Sequence, residues 1–150
     1  MENGVSKKSK NIVWISVLIL VLLVPVLAYL WKQYKEYRVN VYLQEAVALE
    51  SEKKFDQAFQ KYLKASELGN KDAQFNLGFA YANGLGTEKS NEKALYWYGK
   101  SAEQGDKQAQ IVMGVIYSVG RGVEKNPEKA KYWQKKAEEQ SQKEAGEPPL

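Results

Sequence analysis

The chain has 150 residues, 44% hydrophobic and 27% charged, with no cysteine and no histidine. That length suits one small domain plus a specialised segment, and the missing residue types exclude disulfides, thiolate nucleophiles, Cys/His zinc sites and histidine acid/base chemistry. The net charge of +4 does not mark a nucleic-acid surface: residues 1–31 hold Lys7, Lys8 and Lys10 against Glu2, leaving only +2 on residues 32–150, too little for a face that tracks phosphates.

A basic tail, residues 1–11, precedes IVWISVLILVLLVPVLAYL, which runs from Ile12 to Leu30 without a charge. As a helix this stretch spans about 28 Å at 1.5 Å per residue, enough to cross the hydrocarbon core of a bilayer. Trp14 stands near one end and Tyr29, Trp31 and Tyr34 near the other, where aromatic rings settle at headgroup level. Pro25 permits a kink, which membrane helices tolerate. A cleaved signal peptide, releasing a free periplasmic domain, is the competing reading, with Val26-Leu27-Ala28 before the cut. Lys32, Lys35 and Arg38 directly beyond the run oppose cleavage, so residues 12–31 read as a single transmembrane anchor. Three positive charges flank each side and do not orient it. A cytoplasmic N-terminus is preferred because a short tail with three lysines is awkward to export.

Neither Gly nor Pro occurs between Val26 and Leu68. The helix therefore either continues through a juxtamembrane stalk, residues 32–38, or breaks near Gln33 and restarts around Val39.

Downstream the chain repeats itself. YANGLGTEKSNEKALYWYGKSAEQG, residues 81–105, returns as YSVGRGVEKNPEKAKYWQKKAEEQS, residues 117–141, an offset of 36 shared by Ala73/Ala109, Gly78/Gly114, Tyr81/Tyr117, Gly84/Gly120, Gly86/Gly122, Ala94/Ala130 and Trp97/Trp133. Periods in the twenties to fifties signal solenoids of supersecondary units. In each unit Ala73, Leu77 and Tyr81 mark a first helix to Asn83, with Gly78 letting a partner helix approach. Gly84 supplies a left-handed ending and Gly86 a second permissive loop position. Ser90 and Asn126 are the expected N-caps, with Pro127 at a first helical position and Glu128 at the positive end of its helix. A second helix, about Asn91 to Gln104, buries Ala94, Trp97 or Tyr98, and Ser101, and ends at Gly105. The Gly-x-Gly step is punctuation: a phosphate-binding loop follows a strand, whereas this one follows a helix and recurs with the repeat.

LGFAYANGLGTEKSNEKALYWYGKSAEQGDKQAQ and MGVIYSVGRGVEKNPEKAKYWQKKAEEQ resemble Sel-one-like repeats, the longer-loop relatives of tetratricopeptide repeats, over residues 73–140. The units are placed at residues 73–108 and 109–141, the latter with a C-terminal cap. FDQAFQKYLKASELGNKDAQ matches the second helix of a further unit. With a partner from about Val39 to Glu52 and a short link, residues 39–72 resemble a tetratricopeptide unit, with Tyr42, Leu49, Ala58, Tyr62 and Ala65 in structural places. The expected fold is all-α, a short α/α solenoid behind a transmembrane helix, with a frayed tail over residues 142–150.

The resemblance implies a scaffold that binds other proteins, with no catalytic motif, cofactor or metal site to carry over. Cysteine-rich relatives linked to penicillin binding and hydrolysis carry a disulfide in each repeat, and this chain has none. Glu88, Glu92, Glu103, Glu124, Glu128, Glu138 and Glu139 read as solvated charges. Stacked helix pairs meet partners on the concave face lined by first helices. There the first unit has Asn76, Ala80 and Asn83 and the second Val112, Ile116 and Val119, an apolar strip where the sister carries two asparagines. These six are the candidate protein-binding residues, unless the C-terminal helix, about Glu128 to Lys143, covers them as a cap. Tyr96, Trp97, Tyr98, Tyr132 and Trp133 read as core, with Tyr96 or Tyr132 the exposed exception.

The sequence thus reads as a non-enzymatic, single-pass protein of the bacterial cytoplasmic membrane, its repeats outside the cytoplasm, binding a protein partner in an envelope or secretion complex. Nucleic acid is not an expected partner. The alternatives are an immunity-type protein that blocks a toxin and, more distantly, a peptidoglycan or β-lactam hydrolase.

Overall fold

The structure, a computed structural model, describes residues 7–146. The start of the basic tail and the end of the C-terminal tail lie outside the described residues. Among those described there are six helices and no strand: α1 Lys7–Ser51, α2 Phe55–Glu67, α3 Lys71–Asn83, α4 Asn91–Glu103, α5 Lys107–Val119 and α6 Pro127–Ala145. The chain divides into two compact units, Met1–Tyr37 and Arg38–Leu150.

From Val17 to Trp31 the first unit is apolar on every side. Leu18, Leu22 and Leu27 are 58%, 66% and 61% exposed, so no stripe turns inward as it does on a surface helix of a globular protein. Pro25 lies inside α1. Trp31 and Tyr34 stack with ring centroids 5.8 Å apart, and Lys32 approaches Glu36 at 4.0 Å one turn on. α1 is long and apolar enough to cross a membrane, with a mean hydropathy of 1.9 over its most apolar window.

In the second unit the α1 residues from Arg38 pair with α2, α3 with α4, and α5 with α6. Four helices start on a side chain that accepts from the backbone N–H three residues on: Asn70 from Ala73 (2.8 Å), Ser90 from Lys93 (3.2 Å), Asp106 from Ala109 (2.7 Å) and Asn126 from Lys129 (2.9 Å). Each satisfies a donor that the first turn cannot pair internally. Asn70 and Asp106 are 36 residues apart, so the repeat extends to caps that the spacing of apolar residues does not reveal. α3 and α5 end at Gly84 and Gly120, both left-handed at φ 74° and 78°, as their place in the repeat requires.

Two clusters form the core. Ala46, Ala58, Phe59, Tyr62, Ala65, Ala73, Leu77 and Ala80 make the first, with Tyr42, Leu49, Leu85 and Trp97 against it. Ala94, Tyr98, Ala102, Ala109, Met113 and Ile116 make the second, with Val112, Tyr117 and Trp133 alongside. Small residues dominate because helices that pack closely leave little room between their backbones. A Cβ on Gly78 would stand 2.7 Å from the Tyr98 ring. The loop glycines stack one unit on the next: a Cβ on Gly86 would lie 2.1 Å from the Phe55 carbonyl oxygen, and one on Gly122 2.6 Å from the Asn91 Cβ. Phe55 and Asn91 begin the second helices of the preceding units, so each loop rests on the helix pair before it.

Candidate protein-binding surface

The six residues singled out by sequence separate into inward and outward positions. Ala80 and Ile116 are 6% and 8% exposed and belong to the two cores. Asn76 and Val112 are half-buried. Asn83 and Val119 are exposed, and the Asn83 carboxamide donates to the Phe79 carbonyl at 2.8 Å along its own helix.

The exposed apolar row keeps Val119 and otherwise lies one helical position away from these residues. Ile111, Val115 and Val119, spaced by four on α5, are 50%, 54% and 63% exposed, and Phe79 on α3 is 47% exposed. At about 100° per residue, Val112 and Ile116 turn towards the core while Ile111 and Val115 turn out. Phe79 and Val115 are repeat equivalents, 36 residues apart. Sequence carried the signal: Phe75/Ile111 and Phe79/Val115 are apolar in both units and spaced by four.

Between α3 and α5, Phe79, Ile111 and Val115 border a groove of about 330 Å³, floored by Ala82, Ala94, Tyr98, Val112 and Ile116 and rimmed by Asn83, Asn91 and Arg121. Arg121 stands where the sister unit has Leu85, which packs into the first core. Burial pushes the Tyr98 phenol up from its usual pKa, and the positive field of Arg121 opposes that shift. The groove therefore has an apolar floor, amide edges and one cation. α6 packs elsewhere on α5: a Cβ on Gly114 would meet Gln134 at 3.3 Å and the Ala130 carbonyl at 3.5 Å, while Val119 stays open.

On the second helices Tyr96 and Tyr132 are both exposed, at 56% and 54%. Each sits edge-on to the next tryptophan with centroids 5.1 Å apart, and Lys100 and Lys136 cover the two tyrosine rings. A further hollow of about 320 Å³ lies between the ends of α4 and α5 and α6, bordered by Gln110, Trp133, Glu139 and Gln140. Among the described residues no group of three or more Asp or Glu is arranged to hold a metal ion.

Residues 71–106 and 107–141 each match the Sel1 repeat. The Sel1 repeat protein from Oxalobacter formigenes is 42% identical over 57% of this chain and 35% of its own, with a TM-score of 0.55. c5321, a protective antigen present in uropathogenic Escherichia coli strains and displaying an SLR fold, is 31% identical over 73% of this chain and 23% of its own, with a TM-score of 0.63. Helicobacter pylori cysteine rich protein B is 26% identical over 77% of this chain and 91% of its own, with a TM-score of 0.61. The chain thus spans 35% and 23% of the length of the first two. No curated protein matches it. These likenesses support the Sel1-like repeat family, whose repeats generally mediate protein–protein interaction and are typically non-catalytic.

Proposed function

We propose that this chain is a membrane-anchored Sel1-like scaffold that binds another protein along the groove between α3 and α5, without catalysis, in a bacterial envelope or secretion assembly. The observation that carries the reading is the exposed row Phe79, Ile111, Val115 and Val119 beside an apolar floor. Fully burying an apolar side chain of this size releases about 1.5–3 kcal/mol, and contiguous exposed apolar rows mark interaction sites. Capped helices hold the row before a partner arrives, so little ordering entropy opposes association. Anchoring rests on the uncharged run from Ile12 to Leu30 and on the exposed apolar side chains from Val17 to Leu30. An extracytoplasmic repeat domain is the topology this reading adopts.

The test is a photo-crosslinking amino acid placed at Val115 or, as a control, at Lys131 on α6, in the full chain in its native membrane. The expected result is one adduct of defined mass from position 115 alone, lost when Ile111 and Val119 are both replaced by Asn at unchanged melting temperature. Equal crosslinking at both positions, or none at 115, would sink the groove as the binding site.

A further inference from the structure

Among the described residues that line the groove between α3 and α5, Arg121 alone is charged. The sister unit puts Leu85 at the same place, against its core, so the repeat fold does not call for a cation there. No carboxylate among the described residues pairs with Arg121. A guanidinium is weakly hydrated for an ion and presents parallel N–H donors that match a planar carboxylate.

Tyr98 supplies a second donor in the same groove. Its side chain is 5% exposed, yet its hydroxyl has no hydrogen-bond partner among the described residues, although a buried phenol normally finds one. Nor is that oxygen sealed inside the protein, a state that Gln110 Oε1 alone holds among the described residues. The hydroxyl therefore opens onto the groove that the ring lines. Gly78 and Phe75 pack against the ring and hold it there, and the field of Arg121 reaches the phenol.

We propose that the groove takes an apolar segment of a partner protein carrying one aspartate or glutamate, whose carboxylate pairs with Arg121 and accepts from the Tyr98 hydroxyl. The apolar neighbours of that residue cover Phe79, Ile111 and Val115. Charge complementarity selects this occupant: a basic segment would set two cations face to face, and a wholly apolar one would strip water from the guanidinium and the phenol without replacing it. The proposal rests on the groove as the binding site and adds the chemistry of what fills it.

Peptides are selected from a random phage-displayed library on the full chain in maltoside micelles, and the survivors are tested for crosslinking to a photo-reactive residue at position 115. Those that label it are expected to share an Asp or Glu among apolar residues. They should bind Arg121→Leu at least about tenfold more weakly and Tyr98→Phe about threefold more weakly. Selection on Arg121→Glu should return Lys or Arg in place of the acid. Peptides that label position 115 without an acidic residue, or that bind folded Arg121→Leu undiminished, would overturn the carboxylate assignment and leave the groove standing. If no peptide labels position 115, the groove fails and the assignment fails with it.

Discussion

Gly78 and Gly99 are both interior to helices, yet only one of them is required by its surroundings. A Cβ on Gly78 would stand 2.7–2.8 Å from three atoms of the Tyr98 ring, whereas one on Gly99 would meet only Met113 Cε at 3.7 Å. Gly78→Ala is therefore expected to cost about 1–3 kcal/mol through displacement of a packed ring. Gly99→Ala is expected to gain about 0.5–1 kcal/mol from helix propensity. Thermal melts of the two variants check the pair. Equal destabilisation would mean that Gly78 does not set the α3–α4 approach.

Between elements, the 36-residue step shows where two equivalent joints differ. Gln74 and Gln110 are both 4% exposed, and their amides donate to the Ser66 and Ala102 carbonyls that end the second helices before them. At the first joint Gln104 donates to Gln74 Oε1 at 2.7 Å. At the second, α6 runs on past the point where α4 stops, and Gln140 donates to Glu144 instead. Gln110 Oε1 is left buried without a partner. Gln110→Met removes one bond and an orphaned acceptor, whereas Gln74→Met breaks a satisfied pair. Chemical denaturation is expected to show the Gln110 variant less destabilised by about 1 kcal/mol.

The Tyr62 phenol belongs to the same scale, tying α2 to α1 by donating to Glu50 at 2.9 Å. Burial first, then that bond and the carboxylate's charge, raise its pKa above the ordinary 10.0. The unfolded chain ionises first, so this contribution is whole below about pH 10 and falls as pH rises beyond it. Tyr62→Phe is expected to lower the melting temperature at pH 8 by the loss of one hydrogen bond, about 0.5–1.5 kcal/mol. It should also flatten the loss of stability expected above pH 10, to which the raised Tyr98 phenol contributes as well. An unchanged alkaline slope would refute the assignment.

Element type was legible because glycine spacing, caps and apolar period agree in both units. Groove phase was legible only in part: the recurring apolar pairs Phe75/Ile111 and Phe79/Val115 carry it, but the positions that differ between units, Val112 and Ile116, turn towards the core, and the turn of α5 against its neighbours is what leaves Ile111 and Val115 exposed.

At the scale of the whole molecule, an uncharged run and a solenoid with its own core make opposite demands on solvent. The repeats bury their apolar residues among themselves, while Leu18, Leu20, Leu22 and Leu23 remain 50–66% exposed. Water is a poor medium for such a surface and a bilayer a good one. The reading predicts an intact chain of 17.1 kDa in the carbonate-resistant membrane pellet. Replacing Leu20 and Val24 by Arg, each costing about 2.5–3.5 kcal/mol at a helix centre, is expected to move it into the soluble fraction. Intact-mass analysis separates the competing fate, because a chain cut after Ala28 would lack the whole basic tail and most of the apolar run. Recovery of that shorter chain in the soluble fraction, with no intact species in the pellet, would make the repeats a free domain.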